Sequence, residues 1–360
     1  MMPVIETVVL NQRYGELEVL RNINLRVEKG DVFALIGPSG AGKTTLLRLI
    51  DLLEVPSSGR IYLDGTDVTA LRQKRLALRR RIAFVLQKPL VFNMSVYDNI
   101  ACGLRWRGRS QTEIREKVTR LLELVKLSDL KDKNARTLSG GEAQRVAIAR
   151  AVVLEPEVLL LDEPMANLDP VSILKTEGLI RDIFHQYQTT IVMATHDLSQ
   201  GRRLASRIAV MVNGEIIQEG KPDDVFSSPT NREVAEFVGV DNIVGGVITA
   251  RDGEIAVIDL GGKVIEAISD YAVGEEVYAC IRPEDVTIAL SRPVSSARNS
   301  ILGEITRVVL SGSLVHVEVD CGFPLVALLT KKSTEELNLK RGGQVYASFK
   351  ATAIHIIKRQ

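Results

Sequence analysis

Eight residues, Gly37-Pro38-Ser39-Gly40-Ala41-Gly42-Lys43-Thr44, have the types and spacing of a phosphate-binding loop. The glycines let the backbone curl so that successive N–H groups aim at phosphate oxygens, and the helix expected after them adds its dipole at the same place. In this register Lys43 reaches the terminal phosphates of a nucleotide and the Thr44 hydroxyl is a ligand for Mg²⁺. A second group agrees: Val158-Leu159-Leu160-Leu161-Asp162-Glu163 is an apolar run ending in two adjacent carboxylates. Side chains alternate along a strand, so the pair divides its tasks. Asp162 holds the metal, directly or through water, and Glu163 polarises an attacking water. The third group is Leu138-Ser139-Gly140-Gly141-Glu142-Ala143-Gln144-Arg145. Ser139 suits a helix N-cap, and Gly140 and Gly141 leave first-turn amides open to an anion. One loop already serves the chain's own nucleotide, so this second phosphate-seeking helix start needs another explanation.

These groups require a sheet to hold them, and the pattern supplies one. Val32 to Ile36, Arg81 to Leu86, Val158 to Leu161 and Thr190 to Ala194 are short apolar runs separated by helical stretches. That alternation predicts an α/β layer with a largely parallel sheet, whose strand ends carry the ligand site. Helices are expected over Thr45 to Leu53, after the loop, and from Ser139 toward Leu154. A further helix over Thr112 to Val125 has Ile114, Val118, Leu121, Leu122 and Val125 on one face. Turns around Pro222 and Pro229 lead to a last short helix ending near Val238.

At 360 residues the chain is too long for one ordinary domain. It is 45% hydrophobic and 25% charged, the mix of a soluble globular protein. A formal net charge of +1 and an aromatic content of 4% argue against a nucleic-acid binder. The longest stretch free of charge and His, Val32 to Gly42, is well short of the ~18 residues that span a bilayer. No signal peptide is evident. Cys102, Cys280 and Cys321 lie far apart without metal-ligand spacing and read as small buried hydrophobes in a reducing cytosol.

The pattern changes near residue 240. From Asp241 on, short β-branched runs recur between glycines: Ile255 to Ile258, Val264 to Ile268, Val277 to Ile281, Ile305 to Leu310, Leu314 to Val319, Leu325 to Leu329 and Val345 to Phe349. These predict small all-β barrels, with one helix opened by a capping box at Ser333-Thr334-Glu335-Glu336. An internal repeat is present. Asn242 precedes Gly246-Val247-Ile248-Thr249 as Asn299 precedes Gly303-Glu304-Ile305-Thr306, and Gly274 to Arg282 parallels Gly342 to Lys350. Two units are expected, about 241–292 and 293–360, after an ATPase-like domain over 1–240 with a helical subdomain at about 88–155.

Residues Met1 to about Val240 resemble the ABC-transporter ATPases. The resemblance rests on the phosphate loop, Gln87 in Leu86-Gln87-Lys88-Pro89, the Leu138 to Arg145 segment, the Asp162-Glu163 pair, Ala166-Asn167-Leu168-Asp169, and His196 in Ala194-Thr195-His196-Asp197. It implies a P-loop ATPase that uses ATP and Mg²⁺ and works as a head-to-tail homodimer, the Ser-Gly-Gly helix start of one copy completing the nucleotide site of the other. By this likeness Tyr14 stacks on adenine, and Gly37, Ser39, Gly40, Gly42, Lys43, Thr44 and Thr45 hold the phosphates. Gln87 senses the metal and the membrane partner. Ser139, Gly140 and Gly141 contact the γ-phosphate of the opposite site, His196 that of its own, and Asp169 ties the two sites together. The segment Gln87 to Ile100 is where the family docks the cytoplasmic helix of its permease, so the expected location is peripheral, on the cytoplasmic face of the membrane.

Ser296 to Ile357 resembles the molybdate/tungstate-binding barrels called Mop domains, which end some importer ATPases. Ser296-Ala297-Arg298-Asn299 and Lys350-Ala351-Thr352 supply two cations, two hydroxyls and amides, a donor set suited to a tetrahedral oxyanion. The expected site is Ser296, Ala297, Arg298, Lys350 and Thr352. The first repeat has no match to Ser296–Arg298, although Arg282 matches Lys350. The likeness implies an importer ATPase for tungstate or molybdate, with permease subunits, an extracytoplasmic oxyanion-binding protein as an indirect partner, no nucleic acid, and a tail that inhibits uptake when it binds oxyanion. Two alternatives stand beside it. One is an importer for a sugar, polyamine or ferric ion with a bracing tail; the other is a soluble ABC protein working on ribosomes or DNA.

Overall fold

In the computed structural model, which describes residues 3–69 and 75–359, every residue of Val32–Ile36, Val158–Asp162 and Thr190–Thr195 is buried. Strands covered on both faces read as continuous apolar runs, which is why these segments were legible. They sit centrally in a six-stranded sheet ordered Glu215–Gly220, Arg207–Val212, Val32–Ile36, Thr190–Thr195, Val158–Asp162, Ile82–Val85. All neighbours are parallel except the outermost pair, Glu215–Gly220 with Arg207–Val212. A second sheet, antiparallel, joins Leu17–Val27, Ile5–Tyr14, Ser58–Leu63 and Thr66–Asp67. Leu10, Leu20 and Ile23 from this sheet meet Leu46, Leu47 and Ile50 of the helix Lys43–Ile50 and Phe33 and Leu35 of the parallel sheet in one core. Each such side chain contributes about 1.5–3 kcal/mol by leaving water. The phosphate-loop helix is thereby fixed between two sheets.

The expected helical subdomain contains Val96–Trp106, Gln111–Leu124 and Gly140–Val152. Gln111–Leu124 is capped by Ser110, whose side chain accepts from the Glu113 amide. It buries Ile114, Val118, Leu121 and Leu122, and Val125 is its buried C-cap.

The chain divides into two compact units, Met1–Asp223 and Asp224–Gln360, so the division falls earlier than the expected residue 240. The reason is local. Arg282 donates to the Phe226 carbonyl, and His355 Nε2 lies 2.9 Å from the Pro229 carbonyl oxygen. These bonds tie the segment holding the helix Arg232–Phe237 to the β-rich part.

The repeat is realised as two five-stranded antiparallel sheets that exchange their last strands. Asn242–Asp252, Ile255–Asp259, Val264–Ile268 and Glu276–Ile281 of the first repeat are completed by Ile354–Lys358 from the second. Asn299–Ser311, Leu314–Asp320, Pro324–Thr330 and Gln344–Phe349 are completed by Thr287–Ala289 from the first. The 292/293 division therefore separates repeats in sequence while the sheets interlock in space, over one shared core that includes Ile248, Ile305, Val317 and Phe349. Equivalent devices recur. A Cβ on Gly246 would come within 2.8 Å of the Asp259 carbonyl oxygen, and one on Gly303 within 2.7 Å of that of Asp320. Asn299 bonds the backbone of Glu266 on the edge strand Val264–Ile268, and Asn242 bonds that of Val326 on the edge strand Pro324–Thr330. The inserted helix is Lys331–Glu336, capped by Thr330, whose hydroxyl accepts from the Ser333 amide. The expected cap at Ser333 is corrected: a hydroxyl at the strand end captures that amide three residues earlier. All three cysteines are free and buried.

Candidate nucleotide site

The loop between Ile36 and Lys43 depends on its glycines for different reasons. A Cβ on Gly37 would stand 2.1 Å from the Met211 carbonyl oxygen on the neighbouring strand. Gly42, at φ 99°, is the N-cap of Lys43–Ile50 and provides no side-chain cap, so the first-turn amides are left for a ligand. Lys43 is buried, and its Nζ donates to the carbonyls of Gly37 (2.7 Å) and Pro38 (3.0 Å) while lying 3.8 Å from Glu163 Oε1. Burial lowers its pKa, opposed by the pull of Glu163 and Asp162.

Asp162 ends its strand with a carboxylate buried against Thr44, whose Oγ1 stands 3.0 and 2.9 Å from the two carboxylate oxygens. Burial pushes this carboxyl up, and the charge of Glu163 adds to it against the Thr44 hydrogen bond. Hard oxygen donors beside a phosphate loop fit Mg²⁺. Glu163 leaves the strand at φ 45°, in the left-handed region, with its amide bonded to the Ala194 carbonyl at 2.9 Å. Its Oε2 meets His196 Nδ1 at 2.8 Å. The two carboxylates thus face different partners, separated by the left-handed turn at Glu163 just beyond the strand.

These groups enclose a cavity of about 340 Å³ lined by Ser39, Gly40, Gly42, Lys43, Thr44, Thr45, Gln87, Glu163 and His196, together with Val19 and Ala41. Val19, on the strand Leu17–Val27, escaped sequence reasoning because nothing in its surroundings carries chemistry. Tyr14 is not among the lining residues; its phenol stands beside Thr45 and donates to Glu54. Ser139, Gly140, Gly141 and Asp169 lie outside this cavity. Ser139 caps Gly140–Val152 in a full capping box with Glu142, and Ser139 and Gly140 are exposed. Gly141 packs so closely that a Cβ would meet Ser172 Oγ at 2.4 Å. Asp169 caps Pro170–Tyr187, accepting from the Val171 and Ser172 amides at 3.0 Å each.

A second cavity, about 520 Å³, lies beside Gln87, with Leu86, Pro89, Leu90, Phe92, Trp106 and Arg150 among its lining residues. Trp106 is 75% exposed, and the Arg150 guanidinium stacks 4.9 Å from the Phe92 ring centre. Gln87 therefore faces the nucleotide cavity while residues on both sides of it line this groove.

Residues 20–166 match the ABC transporter family model, and residues 295–356 match the TOBE domain. The chain is 39% identical over 352 residues to the molybdate/tungstate import ATP-binding protein WtpC of Pyrococcus horikoshii, covering 96% of this chain and 98% of that protein. The chain belongs to the ABC transporter family of ATP-binding proteins. The spermidine/putrescine import ATP-binding protein PotA of Acetivibrio thermocellus is 36% identical to this ABC ATPase, covering 97% of the chain and 95% of the relative. Among solved structures, the ATP-binding cassette MJ0796, a dimer in a post-hydrolysis state bound to ADP and Pi, superposes with a TM-score of 0.56 at 29% identity, covering 61% of this chain and 98% of that one.

In the TOBE region Ser296, Ala297 and Arg298 are not among the residues that line the cavity holding Lys350 and Thr352. Arg298 pairs with Glu266 at 2.8 Å, and Ser296 is exposed beside it. Ala297 donates its amide to Ser295. Lys350 and Thr352 line a separate cavity of about 530 Å³ with Arg282, Asp285, His355 and Ser227–Pro229. Arg298 and Lys350 nonetheless leave the same end of one strand pair, whose final register is Asn299 with Phe349.

Proposed function

We propose that this ABC ATPase powers a tungstate/molybdate importer from the cytoplasmic face of the membrane. The observation that carries the reading is likeness to a molybdate/tungstate import subunit along 98% of that relative's length, tail included. Two copies clamp two ATP molecules between them, each offering Ser139, Gly140 and Gly141 to the other's γ-phosphate, with Asp169 linking the two sites. The dimeric cassette bound to ADP and Pi supports this two-copy reading. Tighter binding of ATP to the closed dimer supplies the driving free energy, and loss of phosphate reopens it.

In each site the loop amides and Lys43 grip the phosphates and Tyr14 receives the base. Thr44, Asp162 and Gln87 would hold Mg²⁺, which when bound would offset phosphate charge. Glu163 takes a proton from the attacking water as its oxygen bonds to the γ-phosphorus and the bond to the bridging oxygen breaks, giving ADP and phosphate. His196, held by Glu163, is placed to stabilise charge on the γ-phosphate. The groove beside Gln87 receives a cytoplasmic segment of the permease; its apolar lining and Arg150 suit an amphipathic helix. Glu163→Gln tests the base: the expected result is an ATP-bound dimer with almost no turnover, and normal hydrolysis refutes the assignment.

The tail, in this reading, binds the imported oxyanion through Ser296, Ala297, Arg298, Lys350 and Thr352 and slows uptake. A second reading, a bracing tail in an importer of another solute, is favoured by the Arg298–Glu266 pair, which engages the segment's one cation. The comparable match to a polyamine import subunit supports it too. Calorimetric titration of the full chain with tungstate, molybdate and sulfate separates them. Binding that is lost in Arg298→Ala supports the oxyanion site; silence with all three anions leaves the brace.

A further inference from the structure

Tyr14 is 44% exposed, so packing alone does not fix its ring. Its hydroxyl donates to Glu54 Oε2, and the side chains of Gln12 and Thr45 also reach the phenol. Thr45 lines the nucleotide cavity, which puts this contact at the cavity rim. Glu54 stands just beyond the phosphate-loop helix, on a segment braced from two sides. Arg75 donates from Nε to the Leu52 carbonyl (2.6 Å) and from Nη2 to the Glu54 carbonyl (2.9 Å). Arg48, on the loop helix itself, holds its Nη1 3.8 Å from Glu54 Oε1. Burial and the Glu54 charge raise the phenol's pKa, so the donated proton stays in place at neutral pH.

We infer that Glu54 is a positioning residue for the nucleotide base: anchored by Arg75 and Arg48, it orients the Tyr14 ring through the phenol before the base arrives. An aromatic side chain ordered in advance gives up little rotamer freedom on stacking, which converts directly into affinity. The role concerns the base and leaves the grip on the phosphates untouched. It rests on the reading of Tyr14 as the base-stacking residue.

The test is calorimetry on the full chain with two probes, ATP and inorganic tripolyphosphate, which lacks the base. Glu54→Ala is expected to weaken ATP binding about five-fold, the worth of one hydrogen bond, and to leave tripolyphosphate binding unchanged. Glu54→Gln, whose amide oxygen still accepts the phenol's hydrogen, restores ATP affinity. In a Tyr14→Phe background Glu54→Ala has no further effect. Unchanged ATP affinity in Glu54→Ala, or equal weakening toward both probes, overturns the inference. Tyr14→Ala keeps the two readings apart. If it leaves ATP binding unchanged, the stacking role falls and the inference with it; if it weakens ATP binding while Glu54→Ala does not, only the inference falls.

Discussion

Replacing Asn299 by alanine is expected to loosen both repeats of the tail, including the one that does not contain it. Asn299 is 4% exposed. Its Oδ1 accepts the Glu266 amide at 2.8 Å and its Nδ2 donates to the Glu266 carbonyl at 2.9 Å. Glu266 lies on Val264–Ile268, an outer strand of its sheet, so these two bonds satisfy backbone groups that no further strand reaches. Removing them costs about 1 kcal/mol each, and half-buried peptide groups left without partners add to that, for a total of about 2–4 kcal/mol. Because the sheets exchange strands, the loss should spread. Hydrogen exchange of the full chain is expected to speed up in Ile255–Ile268 and equally in the crossing strands Thr287–Ala289 and Ile354–Lys358. Asn242→Ala, which frees Val326 on the other outer strand, should give the same pattern. Faster exchange confined to Val264–Ile268 in Asn299→Ala would refute the interlock as an energetic unit.

Three other perturbations follow from the ATPase unit. Asp51 is buried and its carboxyl is pushed up to about 7, chiefly by burial, with Arg79 opposing. A raised folded-state pKa means stability that is complete below the ordinary carboxylate value and lost as pH climbs toward 7. Asp51→Asn should therefore match wild type at pH 4 and exceed it at pH 8, by ~4 kcal/mol at most; an equal shift at both pH values in denaturant unfolding refutes this. Gly37→Ala forces a Cβ against the Met211 carbonyl and should weaken ATP binding about a hundred-fold, whereas Gly178→Ala, with open space around it and no left-handed backbone, should not; equal affinities would sink the steric argument. Glu142→Gln keeps the Ser139 cap but removes a carboxylate whose Oε2 now takes both the Ser139 amide and hydroxyl at 2.9 Å. If that helix start meets a partner's triphosphate, ATP-driven dimer formation should rise about two- to five-fold, measured by sedimentation in a Glu163→Gln background.

The nucleotide residues were legible because each does something its type alone permits. A loop that packs on Met211 and turns at φ 99° needs glycine, a phosphate needs Lys43, and a buried strand ending in acids stands out from its apolar run. The repeat was legible too, through Asn242 and Asn299. What sequence could not give was partnership across distance. Strand exchange leaves no local trace, since Thr287–Ala289 and Ile354–Lys358 look like ordinary β segments whichever sheet they join. The Arg298–Glu266 pair spans 32 residues and turned a cation counted toward an anion site into half of an ion pair. Glu54 carries no local signal for the same reason: its partner, Tyr14, is 40 residues away.

Two acids side by side at one strand end look redundant, and the backbone explains why they are not. Asp162 keeps extended geometry, pairs in register with Ala194, and buries its carboxylate against Thr44. There, the cost of burial is offset only when cationic or hydrogen-bonding partners are near, so the position favours a ligand to a cation. Glu163 turns through a left-handed conformation that costs about 1 kcal/mol or more for a residue with a Cβ. That turn lifts its carboxylate out of the sheet to His196 and Lys43, at the wall of the cavity. The His196 side chain that meets it is more than half exposed, whereas Thr44 and Asp162 are closed in together. The strain at Glu163 is thus the backbone's means of separating two chemically similar groups into different environments one residue apart.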